Sequence, residues 1–157
     1  MNHFELLKKT LEEKNVSYQI FNHEKFSNTE EALSFVPEVN DKNAVKSLFF
    51  KYGDLFVLVL LRVCNKLDKE ALKKILETES KIQFASPDET LMFTHCEVGT
   101  VSPFVGLLHG VRTLADSNIL SEEYLFSTPG TFTSTLKMNT QDFFNIAKPE
   151  MVHISLS

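Results

Sequence analysis

Apolar residues recur along this chain with two different periods. Phe4, Leu7 and Leu11 share one face of a helix that the spacing predicts to end near Asn15, and "SYQIF" then reads as a strand. Asn28 with Glu31 three positions later has the form of a capping box, predicting a short helix through Phe35 that Pro37 stops. A long apolar strand from Asn43 to Lys51 follows, and "YGD" is a hairpin signal leading into a second strand from Leu55 to Leu61. Asp68 caps a helix whose Ala71, Leu72, Ile75 and Leu76 face inward. Ser86, Pro87 and Glu89 supply the N-cap, the first-turn proline and the reciprocal acceptor of another. Beyond "CEVGTVSPFVGLLHG" lie two short strand-like pieces, "VRTLAD" and "EYLFS", and then the β-rich "TFTSTLKM". A helix capped by Asn139 or Thr140 comes next, and "MVHISLS" alternates like an edge strand. Strands and helices mix without a regular βαβ rhythm. The pattern predicts an α/β (α+β) fold with a mixed, partly antiparallel central sheet flanked by helices.

One residue breaks the apolar pattern. Alternation puts Ala44, Lys46, Leu48 and Phe50 on one side of the first long strand and Val45, Ser47 and Phe49 on the other, and neither side is plainly solvent. A lysine there either leads its ammonium out to water along its own stem or is a cation kept for a negative ligand.

Composition narrows the possibilities. The 157 residues, without internal repeat, low-complexity tract or Pro/Gly/Ser-rich linker, are expected to form one domain over residues 1–157. The hydrophobic share of 43% and charged share of 24% argue against disorder. The longest apolar run, Leu55 to Leu61, is too short to span a bilayer. "MNHFELLKK" lacks the basic start and long apolar middle of a signal peptide, so a cytoplasmic protein without membrane contact is expected. Cys64 and Cys96 are expected to stay reduced. A net charge of −5 disfavours an extended nucleic-acid surface but leaves room for a small local contact. Lys73 and Lys74, beside Lys69 and interleaved with Glu70 and Glu77, mark a solvated helix face.

The chain carries no P-loop, G-x-G-x-x-G, G-x-S-x-G or H-E-x-x-H. His3, His23, His95, His109 and His153 lack metal-site spacing, and neither metal nor cofactor is expected. His95 beside Cys96 offers a base and a thiol, but chain neighbours point apart, and Cys96 reads as an ordinary loop cysteine. In "GTVSPFVGLLHG" glycines bracket a Ser-Pro turn. They let backbone approach a ligand closely, and consecutive N–H groups there can bind an anion or a developing oxyanion.

In order, "AVKSLFFK", "VLVLLRVCNKLDKEALKKIL", "KIQFASPDE" and "GTVSPFVGL" with "LAD" after it resemble the YbaK/ProX-type aminoacyl-tRNA deacylases and the related insertion (editing) domain of bacterial prolyl-tRNA synthetases. The likeness runs from the His23–Thr29 region through Asp142. It implies a YbaK-like fold and a hydrolase that acts in trans on the ester between a mischarged amino acid and the 3′ end of a tRNA. A tRNA(Pro)-type substrate carrying a small amino acid such as alanine or cysteine is implied, with an aminoacyl-tRNA synthetase such as prolyl-tRNA synthetase as an associated partner. Lys46 matches the family's functional lysine, and Gly99 its loop glycine. Thr29, Thr100, Ser102, Phe104, Gly106, Thr128, Thr133 and Thr135 are the substrate-binding positions the resemblance implies. The chain departs from the family where His95 and Val98 stand for a glycine and a proline, where Thr128-Pro129 stands for a His-Pro pair, and where Phe132 stands for an asparagine. The altered His95 and Thr128 positions favour an alternative, a non-catalytic tRNA-end-binding or accessory module of a synthetase assembly, whereas Lys46 and Gly99 favour catalysis.

Overall fold

A computed structural model describes residues 1–156, and most of its elements begin where the sequence supplies a cap. Helix α1 (His3–Glu13) is capped by Asn2, whose side chain accepts the Glu5 N–H. Strand β1 (Tyr18–Asn22) follows, and then the short helix α2 (Thr29–Ser34). Asn28 caps α2 by accepting the Glu31 N–H, but the return bond that would complete a capping box is not made. Strands β2 (Val45–Tyr52) and β3 (Leu55–Arg62) form the antiparallel hairpin, in register from Val45 opposite Arg62 to Tyr52 opposite Leu55. Its turn needs Gly53, at φ +60°.

Helix α3 (Lys69–Leu76) starts at Asp68, strand β4 (Ile82–Phe84) follows, and helix α4 (Pro87–Thr94) carries both halves of the Ser86–Glu89 capping box. Five residues of "SPFVGLLHG" form helix α5 (Val105–His109), which the sequence pattern does not predict. Strand β5 (Thr113–Asp116), a 3₁₀ turn (Ser117–Ser121), strand β6 (Tyr124–Ser127), strand β7 (Ser134–Asn139), helix α6 (Thr140–Ala147) and strand β8 (Glu150–Val152) complete the order. Asn139, rather than Thr140, caps α6.

The closing stretch differs from its sequence pattern. Only Glu150–Val152 is a strand, because the Ile154 N–H is drawn onto the buried carboxylate of Asp116 at 2.9 Å and the Ile154 carbonyl accepts the Asp68 N–H. Ser157, the last residue of that stretch, lies outside the described residues.

The strands form two sheets. One is mixed and five-stranded, ordered β4-β2-β3-β5-β8, with β3–β5 and β5–β8 parallel. The other is antiparallel and three-stranded, ordered β1-β7-β6. They meet at a parallel bridge between Ala44 and Phe126, where the Phe126 N–H donates to the Asn43 carbonyl at 2.9 Å. Apolar residues cover both faces of β3, which explains its unbroken hydrophobic run, since Val57 through Leu61 are fully buried. One face joins Leu7, Leu11, Phe104, Leu136 and Phe143 in a core shared with the smaller sheet. The other packs with Phe50 and Tyr52 against Leu72 and Leu76 of α3. Among the described residues no helix is long and apolar enough to cross a membrane.

Candidate functional site

The hairpin strand that holds Lys46 is only partly covered along its outer edge. β4 pairs with β2 over Phe50–Tyr52, and β6 bridges to this edge at Ala44, so residues 46–48 lie in a gap between the two pairings. Backbone direction alternates along a strand. The Val63 N–H donates to Ala44 O from the β3 side, whereas Phe49 O accepts from Ala85 on the outer side, so the peptide groups of Ser47 turn toward the open edge. The Ser47 hydroxyl is also buried without a hydrogen-bond partner. Sequence reasoning missed Ser47. Its only sequence signal is adjacency to Lys46.

A cavity of about 300 Å³ opens at this gap. Residues Val45 to Leu48 of β2 form one wall, Phe126, Ser127, Ser134 and Thr135 of the smaller sheet a second, and Thr29, Ala32 and Leu33 of α2 a third. Gly99, Val101 and Thr128 come from loops. Helix α2 buries none of its own residues, so it roofs the cavity without belonging to the core.

Lys46 is half-buried, and its Nζ donates to the Asn65 carbonyl at 2.7 Å. An ammonium has three donors, so this bond fixes its position and leaves two others. Burial pulls its pKa below the ordinary lysine value, and Cys64 nearby opposes that pull. Gly99 sits at φ +92°, which strains any residue with a side chain, and a Cβ there would lie 3.2 Å from the Phe132 ring, which would have to shift by a few tenths of an ångström. Thr29 is exposed at the start of α2. The Thr128 hydroxyl donates to the Thr131 carbonyl at 3.0 Å and accepts the Gly130 N–H, which commits it to its own turn. Thr135 Oγ1 lies 2.9 Å from His23 Nε2.

Lys46, Gly99, Thr29, Thr128 and Thr135 are thus brought together, and the remaining predicted positions lie elsewhere. Thr100 is buried, with its hydroxyl on the Glu97 carbonyl. Ser102 is fully buried, 2.6 Å from His3 Nε2. Phe104 packs edge-to-face on Phe143 inside the core. Gly106 is needed for packing, because a Cβ there would collide with Thr113 Oγ1 and the Val111 carbonyl. Thr133 is exposed and uses its carbonyl to accept the His23 N–H.

The thiol and imidazole at positions 96 and 95 separate. Cys96 is buried, which pushes its thiol up, with opposing hydrogen bonds from the Ser102 N–H and Thr94. His95, left-handed at φ 59°, stacks on His109 with ring centres 4.0 Å apart. His109 Nε2 meets His3 Nδ1 at 2.9 Å, and desolvation, aided by His109 and His95, lowers the buried His3 to about 4.

Comparison with known proteins finds a match between residues 23–146 and the family model of the aminoacyl-tRNA editing domain. Two proline–tRNA ligases are similar in sequence. The one from Geobacillus sp. (strain WCH70) is 34% identical over 87 residues, and the one from Bacillus subtilis (strain 168) is 32% identical over 91. The matches cover 55% and 58% of this chain but 15% and 16% of those ligases, so the chain corresponds to a small part of each. Among solved structures, a candidate trans-editing enzyme for prolyl tRNA synthetase superposes with a TM-score of 0.83 at 17% identity, covering 100% of this chain and 99% of that one. A hypothetical protein superposes at 0.81 and 14% identity, covering 96% and 99%. These two likenesses show the shared fold.

Proposed function

The chain belongs to the aminoacyl-tRNA editing domain family, and from that premise we propose that it hydrolyses the ester joining a wrongly attached amino acid to the 3′ end of a tRNA. The observation that carries this reading is Lys46, held half-buried by the Asn65 carbonyl in a mainly apolar cavity that also contains Gly99. The free donors of the ammonium suit the ester carbonyl or the terminal phosphate, and they favour the negative charge that builds as the carbonyl is attacked. The glycine at position 99 lets loop backbone approach the same carbonyl. Cys96 is buried with a raised pKa, so the attacking group is water, positioned by the site or by the neighbouring ribose hydroxyl. An aminoacyl ester is already activated, and this chemistry needs no side-chain nucleophile.

Apolar groups of Phe26, Ala32, Leu33, Val39, Leu48 and Val63 line the cavity and suit a small uncharged side chain such as that of alanine or cysteine. Similarity to a part of two proline–tRNA ligases supports tRNA(Pro) as the carrier and such a ligase as the partner that presents it. A panel of mischarged tRNAs incubated with the purified protein tests the reading. Loss of the ester from alanyl- or cysteinyl-tRNA(Pro), with prolyl-tRNA(Pro) spared, is the expected result. The commitment of the Thr128 hydroxyl to its own turn favours a second reading, a tRNA-end-binding module without catalysis. Binding of the charged 3′ end with no ester lost from any member of the panel would decide for it.

A further inference from the structure

The cavity has one charged lining residue among the described residues, the cation Lys46, and no carboxylate. An aminoacyl ester carries an α-ammonium, which must then find neutral oxygen acceptors with available lone pairs. The direction of the hydrogen bonds around β7 shows where they are.

His23 Nδ1 lies 2.7 Å from the Glu24 carbonyl. A carbonyl only accepts, so Nδ1 carries the hydrogen, and in the neutral ring Nε2 is then an acceptor. Thr135 Oγ1, 2.9 Å away, must donate its hydrogen to that nitrogen. The Thr135 hydroxyl therefore has lone pairs to offer the cavity and no hydrogen. Both ring nitrogens have a partner in this orientation, and the ring stacks on Phe35 with centres 4.7 Å apart and planes 8° from parallel.

We propose that His23 is a positioning residue that fixes the Thr135 hydroxyl as an acceptor for the α-ammonium of the bound amino acid. The inference rests on the ester-editing reading. A hydroxyl without a free hydrogen welcomes a cationic donor and is a poor partner for a phosphate or an oxyanion. The two polar ends of the cavity are then complementary to the two ends of an aminoacyl ester, with the amine at β7 and the carbonyl at Lys46 on β2.

The test uses two hydrolysis-resistant probes at pH 7, where the α-amine is mostly protonated, 3′-deoxy-3′-alanylamido-adenosine and its 3′-propionylamido counterpart, which lacks only the amine. The wild-type chain is expected to bind the alanyl probe about tenfold more tightly or better. Thr135→Val and His23→Phe, the latter keeping an aromatic ring against Phe35, should abolish that preference while leaving affinity for the propionyl probe within about twofold; Thr135→Ser should restore it. If His23→Phe does not fold, the valine and serine variants at position 135 decide alone. Retention of the preference in Thr135→Val overturns the assignment, as does equal binding of both probes by the wild type while it still strips alanine from tRNA. Failure of the wild type to bind either probe or to release any ester removes the editing reading itself, and the assignment with it.

Discussion

At the scale of single residues, the proposed function rests on a cation, Lys46, whose charged form burial disfavours. Lys46→Ala relieves that desolvation, so it should fold at least as well as the wild type while losing about a hundredfold in deacylation, measured as ester loss beside a thermal melt. Wild-type activity in this variant would show that the lysine serves the fold instead. Gly99→Val should abolish turnover through strain at φ +92° and pressure on Phe132, whereas Cys96→Ser should leave turnover nearly unchanged, because the thiol is buried and accepts hydrogen bonds from neighbouring residues only. Lys46 was legible in the sequence because a charge on an apolar strand is visible without a structure. Ser102, Phe104 and Gly106 show the limit of that legibility. A loop of glycine, hydroxyl and aromatic residues reads the same whether it turns toward a ligand or a core, and burial against His3, Phe143 and Thr113 made the choice. His23 was invisible as a site residue because its partner, Thr135, lies 112 positions away.

Elements with local chemistry were the most legible. The Ser86–Glu89 box is present in full, and Glu89 also receives Lys51 Nζ at 2.7 Å, which ties α4 to β2. Ser86→Ala is therefore expected to cost about 1 kcal/mol in urea unfolding without altering the editing rate. A change in rate at unchanged stability would mean that α4 helps to shape the site. Helix α5 escaped notice because five residues are too few to show a stripe. The closing strand was overextended because alternation cannot reveal that Asp116, 38 positions from Ile154, takes its N–H. The roof of the cavity is fixed by contacts at its end, Phe35 on His23 and the Glu38–Lys137 ion pair. Short and without a buried face of its own, α2 owes its place to residues of β1 and β7 and their flanks.

For the whole molecule, the mixed-sheet class followed from the interleaving of short strands and helices, but the division into two sheets did not, because it depends on pairings across the full chain. Two bulk properties follow from the assembled structure. With a net charge of −5, a chain that holds only a tRNA end should bind an aminoacyl-tRNA analogue with a logarithmic salt slope of about −1 to −3; a steeper slope would reveal a basic surface gathered from distant lysines. Buried His3 titrates at about 4, below its ordinary 6.5, so the unfolded chain takes up that proton first as the pH falls. Stability should decline from about pH 6.5 to 4 by roughly 3 kcal/mol and then level off, and His3→Gln should flatten this part of the curve. A slope unchanged in that variant would assign the loss to other groups. The pairing of β1 with β7, Tyr18 opposite Met138 and Asn22 opposite Ser134, also sets an order of events in time. The β2–β3 hairpin closes a two-residue turn and can form early, whereas β1 must wait for a partner more than a hundred residues later. Lys46 is in place with the hairpin, while Thr135 arrives only with that last pairing. During refolding, the capacity to bind an aminoacyl end should therefore return more slowly than the hairpin's own protection from hydrogen exchange.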